Sequence, residues 1–128
     1  MTMTPIDVSD AGTFGPASST LDNSAAWARC LDGDRDAFQV VVSAHLDELF
    51  AAAERDIRYH VALGGLLEGD LSAEELVGET LLRAWRDRRT RPQALGLRAW
   101  LLGLQFRGLM RIVRQEQLLR RLISVSLE

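Results

Sequence analysis

Apolar residues recur every three to four positions over most of this chain, which is the spacing of an amphipathic α-helix. The longest run predicts one helix that begins at Asp34 or Asp36 and ends at Gly64 and Gly65. No alternation of period two continues for more than a few residues, so we expect an all-α fold. The predicted buried stripe of the long helix is Phe38, Val42, Leu46 or His45, Leu49, Ala53, Ile57 and Val61.

Cap residues mark a shorter helix before the long one. Asn23 or Ser24 can cap a helix that carries Trp27 and stops near Gly33. Residues 1–22 are rich in Ser, Thr, Gly, Pro and Asp and show no apolar periodicity. We expect them to form a flexible tail.

Two further helices are expected after the long one. Ser72 and Glu75 form an S-x-x-E capping box, so a helix should run from here to about Arg89. A basic segment that contains a proline interrupts the pattern, and a final helix is expected from about Leu97 to Arg121. The prediction is a compact all-α bundle of three main helices plus a short N-terminal helix.

Composition fits one helical domain over residues 23–121, followed by the start of an interdomain linker at 122–128. Cys30 is the single cysteine of the 128 residues, which fits a reducing compartment. No apolar run approaches the roughly 18 residues of a membrane span, and the N-terminus lacks a secretory signal pattern. A cytoplasmic protein with no membrane contact is expected.

Charge divides the chain into unlike parts. Residues 1–80 hold 15 acids and 4 arginines, a net charge of −11, whereas residues 81–128 hold 11 arginines and 3 acids, a net charge of +8. Such asymmetry indicates that only the second part contacts a polyanion.

The predicted final helix carries the clearest basic feature. Four arginines and Trp100 share a sector of roughly 80°; the arginines are Arg107, Arg111, Arg114 and Arg121. Such a stripe suits a nucleic-acid strand, because arginine neutralises phosphate and an indole can stack on an unpaired base. The alternative is an ordinary solvated face with Trp100 turned into the core. The expected apolar face is Ala99, Leu102, Phe106, Leu109, Met110 and Val113.

The preceding helix also has two sides. Its packing side is expected to be Leu76, Val77, Thr80, Leu81, Ala84 and Trp85. The opposite side consists of Glu75, Glu79, Leu82 and Arg86. An apolar residue among charges on an exposed face suits a protein partner, and the alternative is a solvated face with one exposed leucine.

Catalytic motifs are not found in the sequence. His45 and His60 belong to no metal-binding pattern, and Cys30 has no C-x-x-C partner. No nucleophile elbow, phosphate-binding loop or dinucleotide fingerprint occurs. We expect no enzymatic activity, no cofactor and no bound metal.

Three blocks occur in order along the chain: GDRDAF at 33–38, ELVGETLLRAW at 75–85 and RAWLL at 98–102. Together they resemble region 2 of an RNA polymerase sigma factor of the extracytoplasmic-function (ECF) group. The resemblance covers about residues 25–121. It implies a helical fold of the region 2 type and a function in transcription initiation.

The resemblance also implies two interaction surfaces. The residues that would dock on the clamp helices of the largest subunit of core RNA polymerase are Glu75, Glu79, Leu82 and Arg83. The residues that would meet the −10 promoter element and hold its non-template strand are Arg89, Arg91, Gln93, Arg107, Arg111 and Arg114, with Trp100 of the basic stripe. An anti-sigma factor is a further candidate partner.

Three positions depart from the pattern of that family. Gly78 stands where glutamine is common, and Arg107 and Arg111 stand where an asparagine and an aspartate are common. The two arginines strengthen phosphate attraction but do not carry over the family's base contacts. These departures motivate a second hypothesis, a helical protein-interaction module that binds a regulator without contacting DNA.

Overall fold

The computed structural model describes residues 16–127, and this part of the chain is all helical, as predicted. Between residues 16 and 127 no helix is long and apolar enough to cross a membrane. A short 3₁₀ turn lies between the fourth and fifth helices. The elements in chain order are α1 (Pro16–Leu31), α2 (Arg35–Ser43), α3 (Leu46–Ala62), α4 (Ala73–Arg86), the 3₁₀ turn (Arg88–Thr90) and α5 (Leu97–Leu127).

The prediction of one long helix after Asp34 is wrong, because α2 and α3 are separate helices. The hydroxyl of Ser43 donates a 2.7 Å hydrogen bond to the carbonyl of Val40 at the end of α2. Serine side chains that bond the backbone in this way compete with continued helix. The predicted stripe is buried at four positions on the two sides of the break, Phe38, Val42, Leu49 and Ala53. Its other positions are half-buried: His45, Leu46, Ile57 and Val61.

The turn between α1 and α2 explains the acidic GDRD sequence as helix capping. Gly33 has a φ of 98°, and its N–H donates to the carbonyl of Cys30 at 2.9 Å. The N–H of Asp34 donates to the carbonyl of Arg29 at 3.0 Å, which completes a Schellman motif. The side chain of Asp34 then accepts from the N–H of Ala37 at 3.1 Å and starts α2. Asp34 of this acidic sequence therefore caps a helix.

Two compact units are present, and their boundary falls between Ala44 and His45. In the first unit α1 packs on α2. The buried side chains of this unit are Ala26, Trp27, Cys30, Ala37, Phe38, Val41 and Val42.

The second unit is a three-helix bundle in which α3, α4 and α5 all contact one another. Gln105 is buried in this bundle, and its amide donates a 2.9 Å hydrogen bond to the carbonyl of Leu49, which ties α5 to α3. At the other end of the bundle, Arg120 donates to the carbonyl of Gly64 at 2.7 Å. The buried apolar residues are Leu49, Ala52, Ala53, Leu66, Leu76, Val77, Ala84, Trp100, Leu101, Leu104, Leu109 and Val113.

The outer ends of the helical region differ from the sequence-based expectation. Helix α1 begins at Pro16, several residues before the expected cap at Asn23 or Ser24, and proline is well suited to the first position of a helix. Helix α5 continues to Leu127 instead of stopping at Arg121. Residues 16–22 of the expected tail belong to α1, and residues 1–15 lie outside the described part of the chain. The domain boundaries stay a prediction.

Candidate functional site

The outer face of α4 is formed as the sequence predicted. Glu75, Glu79 and Arg86 are exposed there, and Leu82 is 64% exposed among them. Gly78 lies on the same face with open space where a Cβ would stand. The face therefore combines acidic groups with one large apolar side chain that no described residue covers.

The capping box at the start of α4 is confirmed. The N–H of Glu75 donates to the hydroxyl of Ser72 at 3.1 Å, and the N–H of Ser72 donates to Oε1 of Glu75 at 2.9 Å. Glu75, one of the predicted polymerase contacts, therefore caps the N-terminus of α4. Among residues 16–127, no side-chain hydrogen bond or ion pair engages Glu79.

The inner face of α4 also matches the prediction. Leu76, Val77, Thr80 and Ala84 are buried, while Leu81 and Trp85 are half-buried. The hydroxyl of Thr80 donates to the carbonyl of Leu76 at 2.8 Å, so this buried polar group is paired within the helix.

Arg83 lies at the edge between α4 and α5, and its implied contact with polymerase stays a prediction. Arg83 is half-buried and lines the groove between α4 and α5, whereas Leu82 and Arg86 lie on the outer face. Of the other predicted polymerase contacts, Glu79 lines the same cavity as Arg83 and is also exposed on the outer face.

The basic stripe on α5 is present, because Arg107, Arg111 and Arg114 are all exposed on the helix. Arg114 donates from Nε to the carbonyl of Met110 at 3.3 Å. The Arg107 guanidinium lies close over Gly103, where a Cβ would come within 3.2 Å of Nη1. Glycine at this position lets the guanidinium rest against the helix backbone.

Trp100 is not part of the open stripe. Its side chain is only 4% exposed, so it presents no free stacking surface, and the prediction that it contacts DNA in this way needs correction. On α5, the sector that holds Trp100 and the arginines lies next to the side that packs on α4. The indole of Trp100 turns toward α4 and lines the groove between the two helices.

The predicted apolar face of α5 is also partly wrong. Leu109 and Val113 are buried as expected, but Ala99 is exposed and Phe106 is 53% exposed. The buried side is instead completed by Leu101, Leu104 and Gln105. Because α3 and α4 both pack on α5, its buried arc is wide and centred on the space between them.

Two adjoining cavities lie along the α4–α5 groove, and they share Arg83, Leu104 and Arg111. The cavity toward the start of α4 has a volume of about 250 Å³, and the one toward the loop before α5 has about 460 Å³. Trp100 forms part of the wall of the larger cavity, together with Arg107. The groove thus has an aromatic and aliphatic wall, and its rim carries three arginines and two acids, Glu79 and Asp87.

The segment between α4 and α5 holds the three remaining predicted DNA contacts. Arg89 and Gln93 are exposed. Arg91 is half-buried, donates from Nη1 to the carbonyl of Leu95, and has its pKa lowered by burial. Arg91 therefore helps to hold the loop in shape, and the other two side chains reach solvent.

An ion pair that the sequence did not reveal holds the start of α5. Arg98 donates from both Nε and Nη2 to the two carboxylate oxygens of Glu48 on α3, with Nε to Oε1 at 2.7 Å. The hydrogen bond from Arg98 holds the pKa of Glu48 below its usual range. The first residue of the RAWLL block is thus a structural contact. Its partner lies 50 positions away, and no local pattern indicates it.

The histidines form no metal site with their neighbours. Within residues 16–127 no group of three histidine, cysteine or carboxylate side chains is arranged to hold a metal ion. His45 and His60 are both half-buried, and the ring of His60 meets that of Tyr59 edge-on at a centroid distance of 5.3 Å.

Comparisons of the chain with protein-family models, with curated proteins and with solved structures found no match in any of the three.

Proposed function

We propose that this chain is a transcription initiation domain of the sigma region 2 type. In this proposal the outer face of α4 binds core RNA polymerase at the clamp helices of its largest subunit. The loop before α5 and the basic stripe of α5 bind the non-template strand of the −10 promoter element. The chain would then act in the cytoplasm, by binding and without catalysis.

The observation that supports the proposal most strongly is the pairing of two unlike exposed faces on neighbouring helices. One face is acidic around an exposed Leu82, and the other carries Arg107, Arg111 and Arg114. An apolar anchor among charges is typical of a protein interface, and a row of arginines is typical of a phosphate-binding one. Two of the three sequence blocks that resemble region 2 lie on these helices, ELVGETLLRAW on α4 and RAWLL on α5.

Each part of the nucleic-acid surface has its own task in this proposal. Arg107, Arg111 and Arg114 neutralise phosphates along one strand, and such contacts set its position without reading its sequence. Arg89 and Gln93 are exposed on the preceding loop and can reach base edges. Arg91 keeps that loop in place, and Trp100 supports the stripe from beneath.

Fluorescence anisotropy with single-stranded oligonucleotides tests the nucleic-acid half of the proposal. Binding should weaken steeply as salt rises, because each neutralised phosphate releases counterions. A panel of −10-like and scrambled sequences reports whether bases are read. If the protein binds none of these oligonucleotides at low salt, the promoter-binding function is wrong.

A protein-interaction module without DNA contact is the second candidate. The final part of α5 favours it, since six large apolar side chains are each more than half exposed there: Leu118, Leu119, Leu122, Ile123, Val125 and Leu127. A regulator such as an anti-sigma factor could cover them. A pull-down with purified core polymerase separates the candidates, with Leu82→Glu as the variant. Core retention by wild type and its loss in the variant would support the initiation domain.

A further inference from the structure

We infer that the groove between α4 and α5 binds a backbone phosphate of a nucleic-acid strand through Arg83, Arg107 and Arg111. This inference rests on the proposed function and adds to it. It assigns Arg83 to the nucleic-acid surface instead of the polymerase surface.

The position of Arg83 is the first support. Arg83 and Arg111 come from different helices, yet both line each of the two adjoining cavities. Arg107 joins them at the larger one. Three guanidinium groups therefore border one continuous groove, and one of them comes from α4.

The charges around the groove are the second support. In the described part of the chain, no ion pair within 4.0 Å neutralises Arg83, Arg107 or Arg111. Two acids line the cavities, Glu79 at the smaller and Asp87 at the larger, and neither pairs with these arginines. Neighbouring like charges repel one another, so an anion bound between them would be favoured.

The shape of arginine makes phosphate the fitting anion. The planar guanidinium offers its donors in a fork that matches two phosphate oxygens, and such bonds are about twice as strong as neutral ones. Arg107 rests over Gly103, and Nη1 of Arg111 lies 4.0 Å from where a Cβ of Gly108 would be. Both guanidinium groups thus lie along α5 at the edge of the groove.

The test compares Arg83→Gln with Arg86→Gln, which removes the same charge from the outer face of the same helix. Binding to a single-stranded oligonucleotide is measured by anisotropy over a range of salt. Arg83→Gln should weaken binding about tenfold, as expected for a lost charge-assisted hydrogen bond. The slope of log affinity against log salt should fall by about 0.7, the value for one phosphate of a single strand. Arg86→Gln should change neither, and Arg83→Gln should still bind core polymerase.

The possible results separate this inference from the proposed function. If Arg107→Gln and Arg111→Gln weaken oligonucleotide binding but Arg83→Gln behaves like Arg86→Gln, the inference is wrong and the proposed function stands. If the wild type binds no oligonucleotide, both are wrong. Thermal unfolding is followed for each variant. Should Arg83→Gln unfold, Arg83→Lys and Arg83→Met replace it, because both keep the aliphatic stem of the side chain. Arg83→Lys should then retain most of the affinity for the oligonucleotide, and Arg83→Met should lose it.

Discussion

Helices α4 and α5 pack against each other in the second unit, yet their exposed sides are built differently. On α4 the outer face, with Glu79 and Leu82, is separated from the buried face by half-buried side chains. On α5 the basic stripe borders directly on buried Trp100. A change on the outer face of α4 should therefore leave the bundle intact, whereas a change near the stripe of α5 can affect stability and binding together.

The largest expected effect on stability comes from substitutions that compare the buried side of α5 with its exposed side. Trp100→Ala should lower the free energy of unfolding by about 3–5 kcal/mol, since it removes a large buried side chain and leaves a cavity. Phe106→Ala is the matched control and should cost less than about 0.5 kcal/mol, because this aromatic side chain is more than half exposed. Urea denaturation measures both. Equal losses in the two variants would mean that the buried side of α5 is assigned wrongly.

An intermediate effect is expected on the outer face of α4. Gly78→Ala should raise the free energy of unfolding by roughly 0.8–1.0 kcal/mol, because alanine is the better helix former and open space surrounds the site. Gly103→Ala is the contrasting variant and should raise the free energy of unfolding less. Its Cβ would come within 3.2 Å of the Arg107 guanidinium, which would have to shift. Differential scanning calorimetry gives both values. A destabilised Gly78→Ala protein would show that the outer face of α4 is not open.

The smallest effect concerns the pair that joins α5 to α3. Arg98 lowers the pKa of Glu48, so the pair stabilises the fold above the pKa of glutamate in the unfolded chain, about 4.3. This contribution is lost as the pH falls through the lower pKa of Glu48 in the folded protein. The difference in Tm between wild type and Arg98→Gln should therefore be present at neutral pH and shrink in acid.

Arg55→Gln is the control for the acid experiment, because Arg55 pairs with its neighbour Asp56 on the same helix, α3. Its Tm difference from wild type should stay small at every pH. A Tm difference for Arg98→Gln that grows in acid would contradict the proposed role of this pair.

The two helices also differ in how far the sequence predicted them. For α4 the capping box, the buried side and the exposed side were all predicted correctly, because the start signal is local and the helix has one packing side. For α5 the stripe was found, but the buried face was placed too far toward Phe106. A helix that packs against two neighbours is apolar over a wide arc, so periodicity alone does not define its centre.

Other features depend on contacts that no local pattern contains. The break between α2 and α3 escaped prediction because the apolar spacing continues across it. The position of Arg83 in the groove depends on how α5 packs beside α4, and the Arg98–Glu48 pair joins residues far apart in the sequence. These contacts are set by tertiary packing.

The central claim is that α4 and α5 carry separate binding surfaces. It is tested most directly by measuring two variants against both ligands. Leu82→Glu and the double variant Arg107→Glu/Arg111→Glu are each measured against core RNA polymerase and against a −10-like single strand. Leu82→Glu should lose polymerase binding and keep the oligonucleotide, and the arginine variant should do the reverse. Loss of both ligands in either correctly folded variant, or of neither ligand in both, would contradict the claim.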